Sequence, residues 1–151
     1  MVKKRTGLTL TLLLGAALLV AVVPPASAQT CFDREPTISG TPGNDYIMGT
    51  NGADVIVAGG GDDHVDAKSG NDYVCGKADD DYLEGGPGRD MIRGGPGDDE
   101  IYGGDGHDIL EGASGNDILV GGAGVDWCDG GAGDNWCHVS CEWQIDCETF
   151  Y

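Results

Sequence analysis

The sequence is poor in positive charge. Eight Lys and Arg stand against 26 Asp and Glu among 151 residues, for a formal net charge of −18. Phosphate recognition needs clustered bases, so a nucleic-acid-binding surface is excluded. Aromatic residues make up only 7%, with two Phe, so a large conventional core is not expected. The 40% apolar content is concentrated in the first 28 residues. Even there the uncharged run, residues 8–23, falls short of the ~20 residues that a spanning helix wants.

That first segment has the layout of a secretory signal peptide. Lys3, Lys4 and Arg5 precede the apolar run, and Pro24-Pro25 and the small residues Ala26-Ser27-Ala28 follow it. Cleavage after Ala28 is expected, with export to an oxidising compartment, and no membrane span once the segment is removed. Removal takes away three bases and no acid, leaving 26 acids against 5 bases. A polyanion with so few large side chains does not collapse by apolar burial alone. Either it stays unfolded or something cationic completes it.

What the chain has in abundance is a repeat. Aspartate recurs every nine residues at Asp45, Asp54, Asp63, Asp72, Asp81, Asp90, Asp99, Asp108, Asp117 and Asp126, and Asn135 takes the next place. Two residues before each stands glycine, except for Asp79, and five before stands Gly or Ala. Two after stands an apolar residue, from Ile47 and Ile56 to Cys128 and Cys137. Eleven nonapeptides thus run from residue 40 to residue 138 without a slip in register.

Units such as GGPGRDMIR, GGPGDDEIY and GGDGHDILE resemble the RTX, or haemolysin-type, calcium-binding nonapeptide repeat, G-G-x-G-x-D-x-U-x. The resemblance implies an all-β fold, a parallel β-roll solenoid with calcium held in its turns. The residues support this reading independently. The glycine-rich first six positions read as a turn. The last three read as a short strand whose middle apolar side chain faces one way and whose flanks face the other. Two units make one coil of 18 residues, and stacked coils pair strands ~4.8 Å apart.

Stacking gathers the aspartates into two columns. Asp45, Asp63, Asp81, Asp99, Asp117 and then Asn135 share one edge; Asp54, Asp72, Asp90, Asp108 and Asp126 share the other. Columns of carboxylates repel unless neutralised. Calcium, with 6–8 flexible oxygen ligands, suits them better than magnesium or zinc. Turns 85–90, 94–99, 103–108 and 121–126 match the pattern in full. Their glycines (Gly85, Gly86, Gly88; Gly94, Gly95, Gly97; Gly103, Gly104, Gly106; Gly121, Gly122, Gly124) join the ten aspartates as candidate calcium-holding residues. Each site needs two turns 18 residues apart, so eleven turns allow at most nine ions, whose charge nearly balances the acidity. Lys68, Lys77 and Asp79 replace glycine or small residues in turns 67–72 and 76–81, so weaker or distorted sites are expected there, and Asn135 leaves the Asp117 site doubtful. Extracellular calcium modules bind at ~10⁻⁴ to 10⁻³ M.

Residues 29–39 and 139–151 carry bulkier side chains and are expected to cap the roll. Six cysteines in an exported chain point to disulfides. Fifteen pairings exist; the positions suggest Cys31 with Cys75, and Cys128 with Cys137 across the roll. No catalytic site is expected. His64 and His107 have no apparent nucleophile partner, and the flanks are too short for an enzyme fold. The expected function is that of a secreted, extracellular calcium-binding β-roll. The alternative is an adhesion or surface-recognition module that calcium rigidifies, with a cell-surface or protein partner that the sequence does not name.

Overall fold

A computed structural model describes residues 30–150, with the side chains of Thr149 and Phe150 left aside. The expected signal peptide, residues 1–28, lies outside the described residues. Fourteen strands follow one another: β1 (Ile38–Ser39), β2 (Tyr46–Met48), β3 (Val55–Gly60), β4 (His64–Asp66), β5 (Tyr73–Ala78), β6 (Tyr82–Gly88), β7 (Met91–Pro96), β8 (Glu100–Gly106), β9 (Ile109–Ser114), β10 (Ile118–Gly124), β11 (Asp126–Ala132), β12 (Trp136–His138), β13 (Cys141–Ile145) and β14 (Glu148–Phe150). Odd-numbered strands form one seven-stranded parallel sheet and even-numbered strands the other. The chain is an all-β parallel solenoid of about six coils.

Register follows the repeat. Leu83 pairs with Ile101 and Ile101 with Leu119, each 18 residues on. The inward residues from Ile47 and Ile56 to Cys128 and Cys137 are all buried in one core, a single side chain deep in each strand. The strands are longer than the three residues expected, because the glycine turns join the ladder. Gly86 pairs with Gly104, Pro87 with Asp105 and Gly88 with Gly106. Such close stacking needs glycine at particular places. A Cβ on Gly115, at φ 138°, would run into the Gly97 carbonyl of the preceding coil. Gly43 occupies the same repeat position in the first coil, and nothing lies within 4 Å of its would-be Cβ. Gly115→Ala should therefore cost about 1–3 kcal/mol in backbone strain, read as a lower urea midpoint in saturating calcium, whereas Gly43→Ala should leave it unchanged. Equal midpoints for the two variants would refute this account of the turns.

The flanks depart from the expected pairing. Cys31 joins Cys75, but Cys128 joins Cys141 and Cys137 joins Cys147. Cys128 and Cys137 do face inward, yet from different sheets. Facing sheets stand about 10 Å apart, beyond the ~7 Å Cα limit of a disulfide. The neighbouring coil of the same sheet is closer, and the observed Cα separations are 5.9 and 5.5 Å. At the other end, β1 adds a rung to the odd sheet, while the residues before it fold back over that sheet's outer face. Phe32 meets Tyr73 edge-on at 5.9 Å, and the Arg34 guanidinium lies 4.0 Å above the Tyr73 ring.

Candidate calcium-binding turns

Each aspartate of the repeat closes its turn and leads into a strand. Its own N–H donates to the Oδ1 of the aspartate one coil later. The series runs from Asp45 to Asp63, Asp54 to Asp72 and so on to Asp117 with Asn135, at 2.7–2.9 Å throughout. All ten candidate aspartates therefore sit in two interlocked columns, one along each edge of the roll. From Asp54 to Asp126 they are buried.

The second carboxylate oxygen is what distinguishes the turns. Oδ2 of Asp63, Asp72, Asp81, Asp90, Asp99, Asp108, Asp117 and Asp126 is buried with no hydrogen-bond partner. In Asp45 and Asp54 it is satisfied. Thr41 donates from N and Oγ1 at 2.6 and 2.8 Å, and Thr50 does the same at 2.7 and 2.9 Å. The other turns hold Gly, Lys or Ala at this position in a left-handed backbone, as at Gly86 (φ 97°), Lys68 (φ 76°), Lys77 (φ 98°) and Ala113 (φ 89°). The lysines thus adopt the glycine conformation, and Asp72 and Asp81 keep their places in the columns.

Asn135 shows what the orphaned oxygens face. Its Oδ1 accepts the Asp117 N–H like any member of the column. Its Nδ2, standing where the aspartates have Oδ2, donates to the carbonyls of Gly131 and Asp146 at 3.2 Å each. A carboxylate oxygen cannot donate. In the aspartate turns an acceptor is aimed where asparagine aims a donor. A buried charged acceptor left unsatisfied is costly, and a cation resolves it. Carboxylate and carbonyl oxygens in a flexible turn are the donor set of a hard ion of calcium's size.

Burial has the same consequence for the protons. Desolvation pushes the carboxyls of Asp81, Asp90 and Asp99 up to about 7 and that of Asp117 to about 6, with a smaller contribution from neighbouring carboxylates. Hydrogen bonds from the aspartates one coil earlier pull the other way and only partly offset it. The candidate glycines line the turns beside these groups. A Cβ on Gly85 or Gly103 would come within 2.6 Å of the Oδ2 of Asp90 or Asp108. Gly94 and Gly121 stand in the same relation to Asp99 and Asp126. Gly86, Gly95, Gly104 and Gly122 supply the left-handed second position, while Gly88, Gly97, Gly106 and Gly124 pack on the carbonyls of the previous coil.

The two edges differ just outside the columns. The first carries Asn44, Asp62, Asp80, Asp98, Asn116 and Asp134, several of them linked 18 residues apart by side-chain to backbone bonds. The second carries Ala53, Asn71, Arg89, His107 and Val125. Two things escape a reading of the repeat. The threonines that satisfy Oδ2 of Asp45 and Asp54 are one, and the inverted donor of Asn135 is the other. The signal for both is the residue four before the aspartate, or the aspartate position itself, departing from the pattern.

Stacked glycine turns with paired carboxylates define a β-roll of the calcium-binding kind. The family model "RTX calcium-binding nonapeptide repeat (4 copies)" matches residues 39–74, 76–110 and 102–137. The chain belongs to that family. No curated protein and no solved structure gives a match. No helix among the described residues is long and apolar enough to cross a membrane.

Proposed function

We propose that the protein is a secreted, non-catalytic calcium-binding β-roll whose folding is driven by calcium ions held between stacked turns. The observation that carries this reading is the contrast at Asn135. An amide satisfies two carbonyls there, while eight aspartates elsewhere hold a bare oxygen in the corresponding place. Asp81, Asp90, Asp99 and their neighbours would hold the ions with backbone carbonyls of the glycine turns, and calcium would supply the missing positive charge. Secretion rests on the signal-peptide layout of residues 1–28, and three disulfides suit an extracellular destination. The absence of catalysis rests on the commitment of the repeat carboxylates to the columns.

Stacked pairs of turns set an upper limit of nine ions. Those that include Asp45, Asp54 or Asn135 already have a donor, so about six ions should bind well at millimolar calcium. Calorimetric titration of the chain lacking residues 1–28 measures this number. A stoichiometry of one or none would overturn the proposal. The second reading, an adhesion module, draws on the outer face of the odd sheet. Its outward row Val55, Tyr73, Met91, Ile109, Trp127 is apolar at every rung.

A further inference from the structure

We propose that the outer face of the odd sheet binds an anionic polysaccharide, a linear chain of sugars bearing carboxylates, in the groove beside Tyr73, Met91 and Ile109. The inference rests on the calcium-folded roll, because only stacking brings these residues together. Tyr73 pairs in register with Met91, Met91 with Ile109, Ile109 with Trp127, and Trp127 with Trp143. The row repeats at ~4.8 Å. Arg34 and Phe32 cover part of Tyr73 at one end, so the strip open to a ligand that itself repeats runs from the free side of Tyr73 over Met91 and Ile109.

The groove has a floor and a wall. Tyr73, Met91 and Ile109 form the floor, and Asn71, Arg89 and His107 form the wall. Asp90 also borders the groove, but its side chain is 1% exposed and belongs to the calcium column. The wall consists of donors. Asn71 Oδ1 accepts the Arg89 N–H at 2.9 Å, which leaves its amide hydrogens for a ligand. His107 Nδ1 accepts the Val125 N–H at 2.9 Å, so in the neutral ring Nε2 carries the proton. Arg89 enters no ion pair among the described residues. All three side chains are exposed.

Charge is also divided between the faces. Of the five described Lys and Arg, Arg34, Lys77, Arg89 and Arg93 lie on or beside the odd sheet. The even sheet carries Asp66, Glu84, Glu100 and Glu148. The odd sheet carries Glu111, paired with Arg93 at 2.6 Å, and Asp129 and Glu142 further along, away from the groove. An apolar strip beside a row of unpaired donors matches a sugar chain, whose rings offer a C–H face and whose carboxylates and hydroxyls offer acceptors. The donors fix orientation and the strip supplies area.

The test uses the chain without residues 1–28 at fixed free calcium, with circular dichroism recorded on each sample. Binding of hyaluronan oligosaccharides is compared with that of the same oligosaccharides after carboxyl reduction, and with poly-glutamate. The carboxylated sugar should bind at least about tenfold tighter than the reduced one, the effect of one charge-assisted hydrogen bond. Arg89→Ser should erase that preference, and Ile109→Asp should weaken both sugars. Failure to bind either sugar with a full β spectrum overturns the groove alone. Preference for poly-glutamate overturns it in favour of an acidic peptide. Loss of the spectrum in calcium overturns the calcium reading, and the groove with it.

Discussion

Chelating calcium from the chain is expected to erase most of its β-sheet circular dichroism, and restoring millimolar calcium should bring the signal back. The reason lies in how little else holds the roll. Each nonapeptide buries one apolar side chain such as Leu83, Ile92 or Ile101, worth about 1.5–3 kcal/mol. Each also places a carboxylate about 4.8 Å from the next in its column, a repulsion of about 3 kcal/mol per ionised pair at an effective dielectric of 20. The two are of the same size, so without a counter-ion the core gains almost nothing from stacking. With a divalent ion between the turns the repulsion becomes attraction, and the site exists only in the folded chain. Disulfides do not replace this. Cys31–Cys75, Cys128–Cys141 and Cys137–Cys147 tie the flanks and leave the coils from β6 to β10 unlinked. A spectrum that ignores both chelator and calcium would contradict the proposed function.

Much of this arrangement is legible in the chain because nine is a rigid phase. A residue's place in the nonapeptide sets whether it faces the core, the edge or solvent, so Ile47 through Cys137 could be assigned to the core and the aspartates to two edges. Where side chains act across coils rather than along them, the reading runs out. The outward series Tyr46, Val55, His64, Tyr73, Tyr82 and Met91 looks irregular until alternate members are dealt to opposite sheets. Then Tyr46, His64 and Tyr82 stack ring on ring at 4.7 and 4.6 Å on the even sheet, and the odd sheet keeps an unbroken apolar row. The cysteine partners were hidden for a related reason. Cys141 and Cys147 lie past the last repeat, so no phase says which coil they reach. The reversal of residues 31–34 onto Tyr73 likewise depends on an aromatic contact between distant positions.

Acidity should oppose calcium and partly stand in for it. The carboxyls of Asp81, Asp90 and Asp99 are pushed up to about 7 in the metal-free roll by burial, against a value near 3.9 in an unfolded chain. Between those limits the folded state holds more protons than the unfolded one, so stability of the metal-free roll falls as pH rises. That contribution is fully present below about pH 4 and is lost as pH passes 7. Calcium competes with these protons, because its ligands must be ionised. At pH 6 a carboxyl titrating near 7 is only about one-tenth ionised. Calcium must therefore displace protons from a roll that is already folded at pH 6, whereas the folding midpoint from the unfolded chain, whose carboxylates are ionised at both pH 6 and pH 8, should change little. In calcium-free buffer the β signal should instead be larger at pH 4 than at pH 8. Paired titrations by circular dichroism measure both trends. A metal-free β signal no larger at pH 4 than at pH 8 would mean that the carboxyls of Asp81, Asp90 and Asp99 do not carry protons in the folded roll.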